Sequence, residues 1–372
     1  VDDKKKVIFK AFSFSNSIYG AESLILKLEA FKNELEVGME ATGHYWLSLY
    51  SYLVEKNFTV RVINPIQTDG WRQGIEIRKR KTDIIDSLLI ADLLRYGDFV
   101  ETSLSNEDYL SLRNLSRFRS YLISSIGDLK RKTIALLDQV FPEYASSFSN
   151  IFGKTSKEIL SNFSTPSDFE DINSDDLNTF LESVTRKNYA SKKIDELSKK
   201  ASSSFGINFC LDSFSLQIKM LIEQISFIQN QVSDVENEIE VLLEKLNSPI
   251  TTIPGIGSVN AATILGEIGD IKRFSNPSKL VAYAGLDASV SQSGEYESTY
   301  NHMSKRGSPY LRRALFQSAL RAEFCDPVFS AYYQKKISEG KHNLVATNAV
   351  ARKLCHTIFA VLTKNEPYQV QS

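Results

Sequence analysis

From residue 221 to 246 the apolar side chains Leu221, Ile225, Ile228, Val232, Val235, Ile239, Leu242 and Leu246 recur in alternating steps of four and three. That spacing places them on a single stripe of an α-helix, and so long a stripe has to be buried along a second helix. Asn247-Ser248-Pro249 stops it, since proline cannot continue a helix. An approximate companion repeat, Leu115, Phe118, Leu122, Leu129, Leu136 and Val140, breaks at Phe141-Pro142. The two stripes predict either an antiparallel pair within the chain or a coiled coil between copies, and both readings stand on the sequence.

At 372 residues the chain exceeds one ordinary core and predicts two or three domains. A hydrophobic share of 42% beside 24% charged residues is that of a globular chain in water. No apolar run approaches membrane-spanning length, and the start, Val1-Asp2-Asp3-Lys4-Lys5-Lys6, lacks the apolar core of a signal peptide. The cytoplasm is the expected compartment, with no membrane partner. Cys210, Cys325 and Cys355 show neither zinc-ligand spacing nor a disulfide framework. The formal charge of -1 argues against purely electrostatic capture of nucleic acid, but basic residues gather at 72–81, 113–132 and 305–313. Local distribution outweighs the sum.

The first hundred residues alternate between two periods. Residues 7–14 alternate as a strand, and residues 21–31 carry Leu24, Ile25, Leu28 and Phe31 at helical spacing. Residues 36–40 form a short strand, 44–56 a helix through Trp46, Leu49, Tyr50 and Leu53, and 59–63 a β-branched strand stopped by Asn64-Pro65. This order predicts an α/β layer with parallel strands. Residues 67–81 are polar and basic and predict a mobile loop, after which Thr82 caps a helix from 83 to about 96 with Ile85, Leu88, Leu89 and Leu93 facing inward. Residues 144–215 are Ser- and Asp-rich and helical in pattern, without recognisable chemistry.

Three acids stand out in the α/β region: Glu40 at the end of a strand, and Asp83 and Asp86 near a helix start in Lys-Thr-Asp-Ile-Ile-Asp. Separately, Glu40 reads as a strand-end surface residue and the aspartates as favourable charges at a helix N-terminus. Converging, they would repel unless a divalent cation lay between them. Ribonuclease-H-like nucleases hold magnesium with such a set to orient phosphate and stabilise the transition state. His44 suits a hard oxygen site poorly and reads as a packing or substrate contact.

Further along, Ile253-Pro254-Gly255-Ile256-Gly257-Ser258 precedes a helical run, and glycines on such a turn, here Gly255 and Gly257, offer free backbone N–H groups to a nucleic-acid phosphate. A tight helix hairpin is the alternative. Ser308-Pro309 caps another helix over 310–320. The set His302, Lys305, Arg306, Arg312 and Arg313, with Tyr300 and Tyr310, has no acid beside it in sequence and predicts phosphate contact. So does the basic run Arg72, Arg78, Lys79, Arg80 and Lys81. Ser289, Ser291 and Ser293 form a polar run among which composition selects no nucleophile.

These segments resemble the DEDD-type transposases of the IS110 insertion-sequence family, which includes invertases of pilin genes. Met39-Glu40-Ala41-Thr42-Gly43-His44-Tyr45-Trp46, Val62-Ile63-Asn64-Pro65 and Lys81-Thr82-Asp83-Ile84-Ile85-Asp86 are similar to that family's nuclease domain. Ile253-Pro254-Gly255-Ile256-Gly257, Tyr283-Ala284-Gly285-Leu286, Gln292-Ser293-Gly294, Met303-Ser304-Lys305-Arg306-Gly307 and Leu311-Arg312-Arg313-Ala314-Leu315 are similar to its C-terminal domain.

The resemblance implies an α/β plus α fold: a RuvC-like (ribonuclease-H-like) domain over 1–104, a helical coiled-coil domain over 105–247, and a mainly helical transposase domain over 248–372. It implies Mg2+ on Glu40, Asp83 and Asp86 as the second to fourth acids, and Ser293 as nucleophile. The family's first aspartate lies in an earlier strand. Asp2 and Asp3 sit where the family has a turn and take no such role, so the sequence is expected to begin after that strand. Double-stranded DNA as substrate, a bridge RNA as guide and a homo-oligomer complete the implied picture. The rival readings are a metal-dependent junction nuclease using water, with Ser293 incidental, and a nucleic-acid-binding scaffold with a dead metal site.

Overall fold

A computed structural model describes residues 1–370 apart from 42–43, 76–81, 98, 100–105, 171, 173, 185, 289–291, 294–295 and 298–301. The chain divides into two compact units, Val1–Leu104 and Ser105–Ser372.

In the first unit, Ser17 caps helix α1 (Ile18–Leu28) by accepting from the Gly20 N–H. Strands β1 (Glu36–Glu40) and β2 (Thr59–Ile63) pair in parallel, Glu36 opposite Thr59 and Glu40 opposite Ile63, with α2 (Tyr45–Glu55) as the crossover. Parallel strands require such a crossover. Leu24, Met39, Leu53, Phe58 and Val60 make the core between them. Helices α3 (Pro65–Ile75) and α4 (Asp83–Tyr96) follow. Gly38 lets α4 lie close on β1: a Cβ there would come within 2.5 Å of Leu94 Cδ1 and 2.7 Å of Ile90 Cγ2.

Three expectations are corrected in this unit. Residues 7–14 form no strand, and Val7, Ile8, Phe9, Phe12 and Phe14 are exposed. Alternation makes a strand only where a neighbouring ladder takes up the backbone groups, and among the described residues β1 and β2 pair only with each other. The loop expected from residue 67 is helical to Ile75, because Pro65 both ends β2 and supplies the preset φ of a first helical position. Leu88 is exposed; the buried face of α4 runs through Leu89, Asp92 and Leu93, about 100° further round the helix.

The second unit is built on two long helices, α5 (Glu107–Val140) and α10 (Leu211–Leu246). They run antiparallel: Asp108 meets Lys245, Arg119 meets Glu236, and Leu122 and Ile126 pack with Ile225 and Val232. The heptad stripe is therefore packed inside the chain, with Leu221, Ile225, Val232 and Ile239 buried. Between them α6 (Lys154–Asn162), α7 (Pro166–Glu170), α8 (Ser174–Ser183) and α9 (Lys187–Ala201) close an aromatic-rich core around Phe141, Tyr144, Phe163 and Phe169. At the other end α11 (Ser258–Ile268), α12 (Pro277–Ala284), α13 (Pro309–Cys325), α14 (Pro327–Ser338) and α15 (Asn343–Lys364) surround a core that takes in Leu112 of α5 and Ile239 of α10. The antiparallel pair β3 (Gln292–Ser293) and β4 (Tyr296–Glu297) lies between α12 and α13 in sequence. Among the described residues no helix is long and apolar enough to cross a membrane.

Candidate catalytic and nucleic-acid sites

The acids of the first unit sit at element ends. Glu40 closes β1 and is half-buried, its neighbour Ala41 donating an N–H to the Ile63 carbonyl at 3.1 Å. Thr82 starts α4 by accepting from the Ile85 N–H, which leaves Asp83 exposed and Asp86 half-buried in the first turn, where the helix dipole favours them. Asp86 already has a cation: Arg72 of α3 donates Nη2 to Asp86 Oδ1 at 2.9 Å and Nη1 to Asp69 Oδ1 at 3.3 Å. Arg72 therefore stands among the acids, its side chain only 12% exposed, rather than on an open basic surface.

Among the described residues no group of three or more His, Cys, Asp or Glu side chains is placed to hold a metal. In this conformation Glu40, Asp83 and Asp86 do not fit a magnesium ion, because an arginine occupies the position a cation would take beside Asp86. His44 is exposed at the N-terminus of α2, its ring 4.1 Å from that of Tyr45. A further buried acid, Asp92 on α4, was not legible in the sequence. Burial raises its pKa, but Arg95 and Lys5 outweigh this and hold the carboxyl below its ordinary value. Arg78, Lys79, Arg80 and Lys81 lie outside the described residues.

In the second unit the glycine turn divides its duties. Gly255 has φ +88° and presses on α13, where a Cβ would stand 2.4 Å from the Ser318 carbonyl oxygen. Its role is close packing. Gly257 is exposed, with no atom within 4 Å of a built Cβ, and starts α11 without a side-chain cap or an acid in the first turn. Two other glycines lock the next motifs together. A Cβ on Gly307 would come within 1.7 Å of the Tyr283 carbonyl oxygen, and the Lys305 and Ser308 N–H groups donate to the carbonyls of Gly285 and Tyr283. Arg312 donates Nη1 to the Ala284 carbonyl at 3.2 Å, which makes it a clamp across the same junction. His302, Lys305, Arg306 and Arg313 are exposed.

Ser293 is the second residue of β3, its backbone opposite Tyr296. The chain leading to and from that hairpin is tied by a bridge between Ala288 and Met303 and by hydrogen bonds from Ser304 to Asp287. Ser289 and Ser291 lie outside the described residues.

At the start of α13 the buried acid Glu267 meets Ser308. This α11 residue is 2% exposed and accepts Nε and Nη2 of Arg117 at 2.6 and 2.9 Å, and the Ser308 hydroxyl at 2.9 Å. Arg113 approaches to 3.8 Å, and Tyr310 covers the Arg117 guanidinium at 4.9 Å. The sequence signal was one acid within the apolar run of α11, and its partners lie on α5 and at the start of α13, too far along the chain for spacing to link.

Comparison with known proteins identifies two matching segments. One transposase family model, that of the IS110 DEDD transposases, matches residues 1–142, and a second, described as transposase IS116/IS110/IS902 family, matches 247–334; together they span more than half of the chain. The pilin gene-inverting protein of Moraxella bovis is 24% identical over 360 residues, 96% of this chain and 89% of that protein. The IS116 44.8 kDa protein of Streptomyces clavuligerus is 24% identical over 356 residues, 94% and 88%. The IS110 43.6 kDa protein of Streptomyces coelicolor is 29% identical over 159 residues, 42% of this chain and 39% of that protein.

Proposed function

This chain belongs to the IS110 family of transposases, and on that premise we propose that it is a site-specific recombinase that cuts and rejoins double-stranded DNA through Ser293. The observation that carries the reading is the order of parts in one chain: acids at a strand end and a helix start, then a serine on a hairpin followed by the arginine-bearing α13. In the reaction the Ser293 hydroxyl attacks a DNA phosphorus. A Ser–O–P bond forms, the bond to one deoxyribose oxygen breaks, and that oxygen takes up a proton. A deoxyribose hydroxyl from a second site then attacks the phosphoserine, restores a phosphodiester and frees the serine. One ester is exchanged for another at each step, so strand joining needs no ATP.

A serine hydroxyl needs a base or a cation to become a nucleophile at neutral pH, and Glu40, Asp83 and Asp86 are assigned to that centre by family similarity. No step is routed through magnesium, since Asp86 is held by Arg72 in this conformation. The RuvC-like character of the first unit, guidance by a bridge RNA and assembly into a homo-oligomer belong to the same proposal.

The test is a denaturing gel of the full chain with labelled duplex substrate. The natural protein should leave a covalent protein–DNA adduct, which Ser293→Ala abolishes. Cleavage that survives Ser293→Ala but not Glu40→Ala would establish a hydrolytic nuclease instead. Sequencing RNA released from the purified protein tests guidance, and recombination at specific sites by an RNA-free preparation would refute it.

A further inference from the structure

Where α5, α11 and α13 meet, a cleft of about 60 Å³ is lined by Ser116, Arg119, Ser120, Asn260, Arg313 and Gln317. All of these side chains can donate hydrogen bonds, and no carboxylate lines the cleft. Among the described residues the acid that pairs with a lining cation is Glu236, which takes Arg119 from α10. Arg313 has no ion-pair partner among the described residues and stands in the second turn of α13, close to the positive end of that helix dipole. An arginine left without a counter-charge beside a cleft lined by hydrogen-bond donors suits an anion.

Two observations point to that anion. Ser116 is only 5% exposed, and its buried hydroxyl has no hydrogen-bond partner among the described residues. A buried hydroxyl on a cleft wall is a polar group that a ligand oxygen can satisfy. Asn260 lies in the first turn of α11, which has no side-chain cap and no acid of its own, the nearest carboxylate being Glu240, which accepts from the Ser258 hydroxyl at 3.4 Å. Size narrows the ligand further. A volume near 60 Å³ is far below the roughly 300 Å³ at which pockets begin to enclose drug-sized molecules, which suits a single phosphate group better than a whole nucleoside.

We propose that this cleft seats one backbone phosphate of duplex DNA, with Ser116, Asn260, Arg313 and Gln317 as its donors. The inference rests on the DNA recombinase reading and names a contact that reading leaves open. Exposed Arg313 and Gln317 stand at the rim, where a phosphate attached to a duplex can enter while its sugar and base stay outside.

The experiment is fluorescence anisotropy of the full chain on labelled duplex DNA across a salt series. Each neutralised phosphate contributes about 0.9 to the slope of log affinity against log salt. Arg313→Gln should lower that slope by about 1 and weaken binding about tenfold at 0.1 M salt, equally on unrelated sequences. Ser116→Ala should weaken binding while leaving the melting temperature unchanged or higher, because it removes an unsatisfied buried group. Arg321→Gln, an exposed arginine of α13 away from the cleft, should do neither.

Unchanged slopes in Arg313→Gln and unchanged affinity in Ser116→Ala would overturn the proposal while the recombinase reading survived. A natural protein that binds no duplex would overturn both. Loss of affinity for structured RNA with duplex binding intact, or thermal stabilisation by inorganic phosphate that Arg313→Gln abolishes without affecting DNA, would give the cleft another ligand and equally refute the assignment.

Discussion

Replacing Glu267 by Gln is the sharpest test of how the C-terminal helices are held. The carboxylate side chain is 1% exposed and accepts from Arg117 at 2.6 and 2.9 Å and from Ser308 at 2.9 Å. An amide keeps the shape but removes the charge, and half of it donates where Arg117 or Ser308 needs an acceptor. Removing one partner of a buried pair costs about 3–5 kcal/mol. Arg117 retains 37% side-chain exposure, and water there places the cost at the lower end, about 3 kcal/mol. For a unit of this size each kcal/mol moves the midpoint by about 2–4 °C, so the melting temperature should fall by about 6–12 °C. Calorimetry of the full chain measures it. Arg117→Met combined with Glu267→Gln should lose at least about 1 kcal/mol less than the two single changes added together, because the second change removes the stranded charge. A fall below about 2 °C, or strict additivity, would refute the view that this ion pair locks α5, α11 and α13.

Glu323 gives a pH-dependent counterpart. Burial raises its carboxyl pKa, only partly offset by the Thr347 hydroxyl at 3.1 Å. A raised folded pKa contributes stability below the unfolded value of about 4.5, and that contribution is lost as pH rises through the folded value. Glu323→Gln should therefore raise the melting temperature at neutral pH and lose the gain in acid; an equal gain at both pH values would show that the charge is immaterial. For the acidic site, Arg72→Gln frees Asp86 and should tighten magnesium binding measured by titration calorimetry, whereas unchanged affinity would show that the arginine does not compete for the site.

Elements whose signals are local were legible in the sequence. The β-branched run 59–63 and the Thr82 cap produced β2 and α4 at the expected bounds, because strand propensity and capping act within a few residues. The heptad predicted burial but not its partner, and long-range pairing with α5 made that choice. Residues 7–14 had the right alternation and no ladder to join, and Pro65 was read as a stop where it was also a start. The site residues that escaped the sequence, Glu267, Asp92 and Ser116, each depend on a side chain from another element. A glutamate in an apolar run carries no mark of the arginine 150 positions away that satisfies it.

The antiparallel pairing of α5 with α10 has a consequence during synthesis. Asp108 and its partner Lys245 are 137 residues apart, so at 5–20 residues per second a ribosome needs roughly 7–27 s to make the second after the first. Within that interval, from the completion of α5 at Val140 until α10 begins at Leu211, the apolar stripe of α5 has been made and its cover has not. The nascent chain thus passes through a stage in which a 34-residue helix presents its sticky side to the cell, and holdase chaperones are the factors whose depletion should lower the yield of folded protein most.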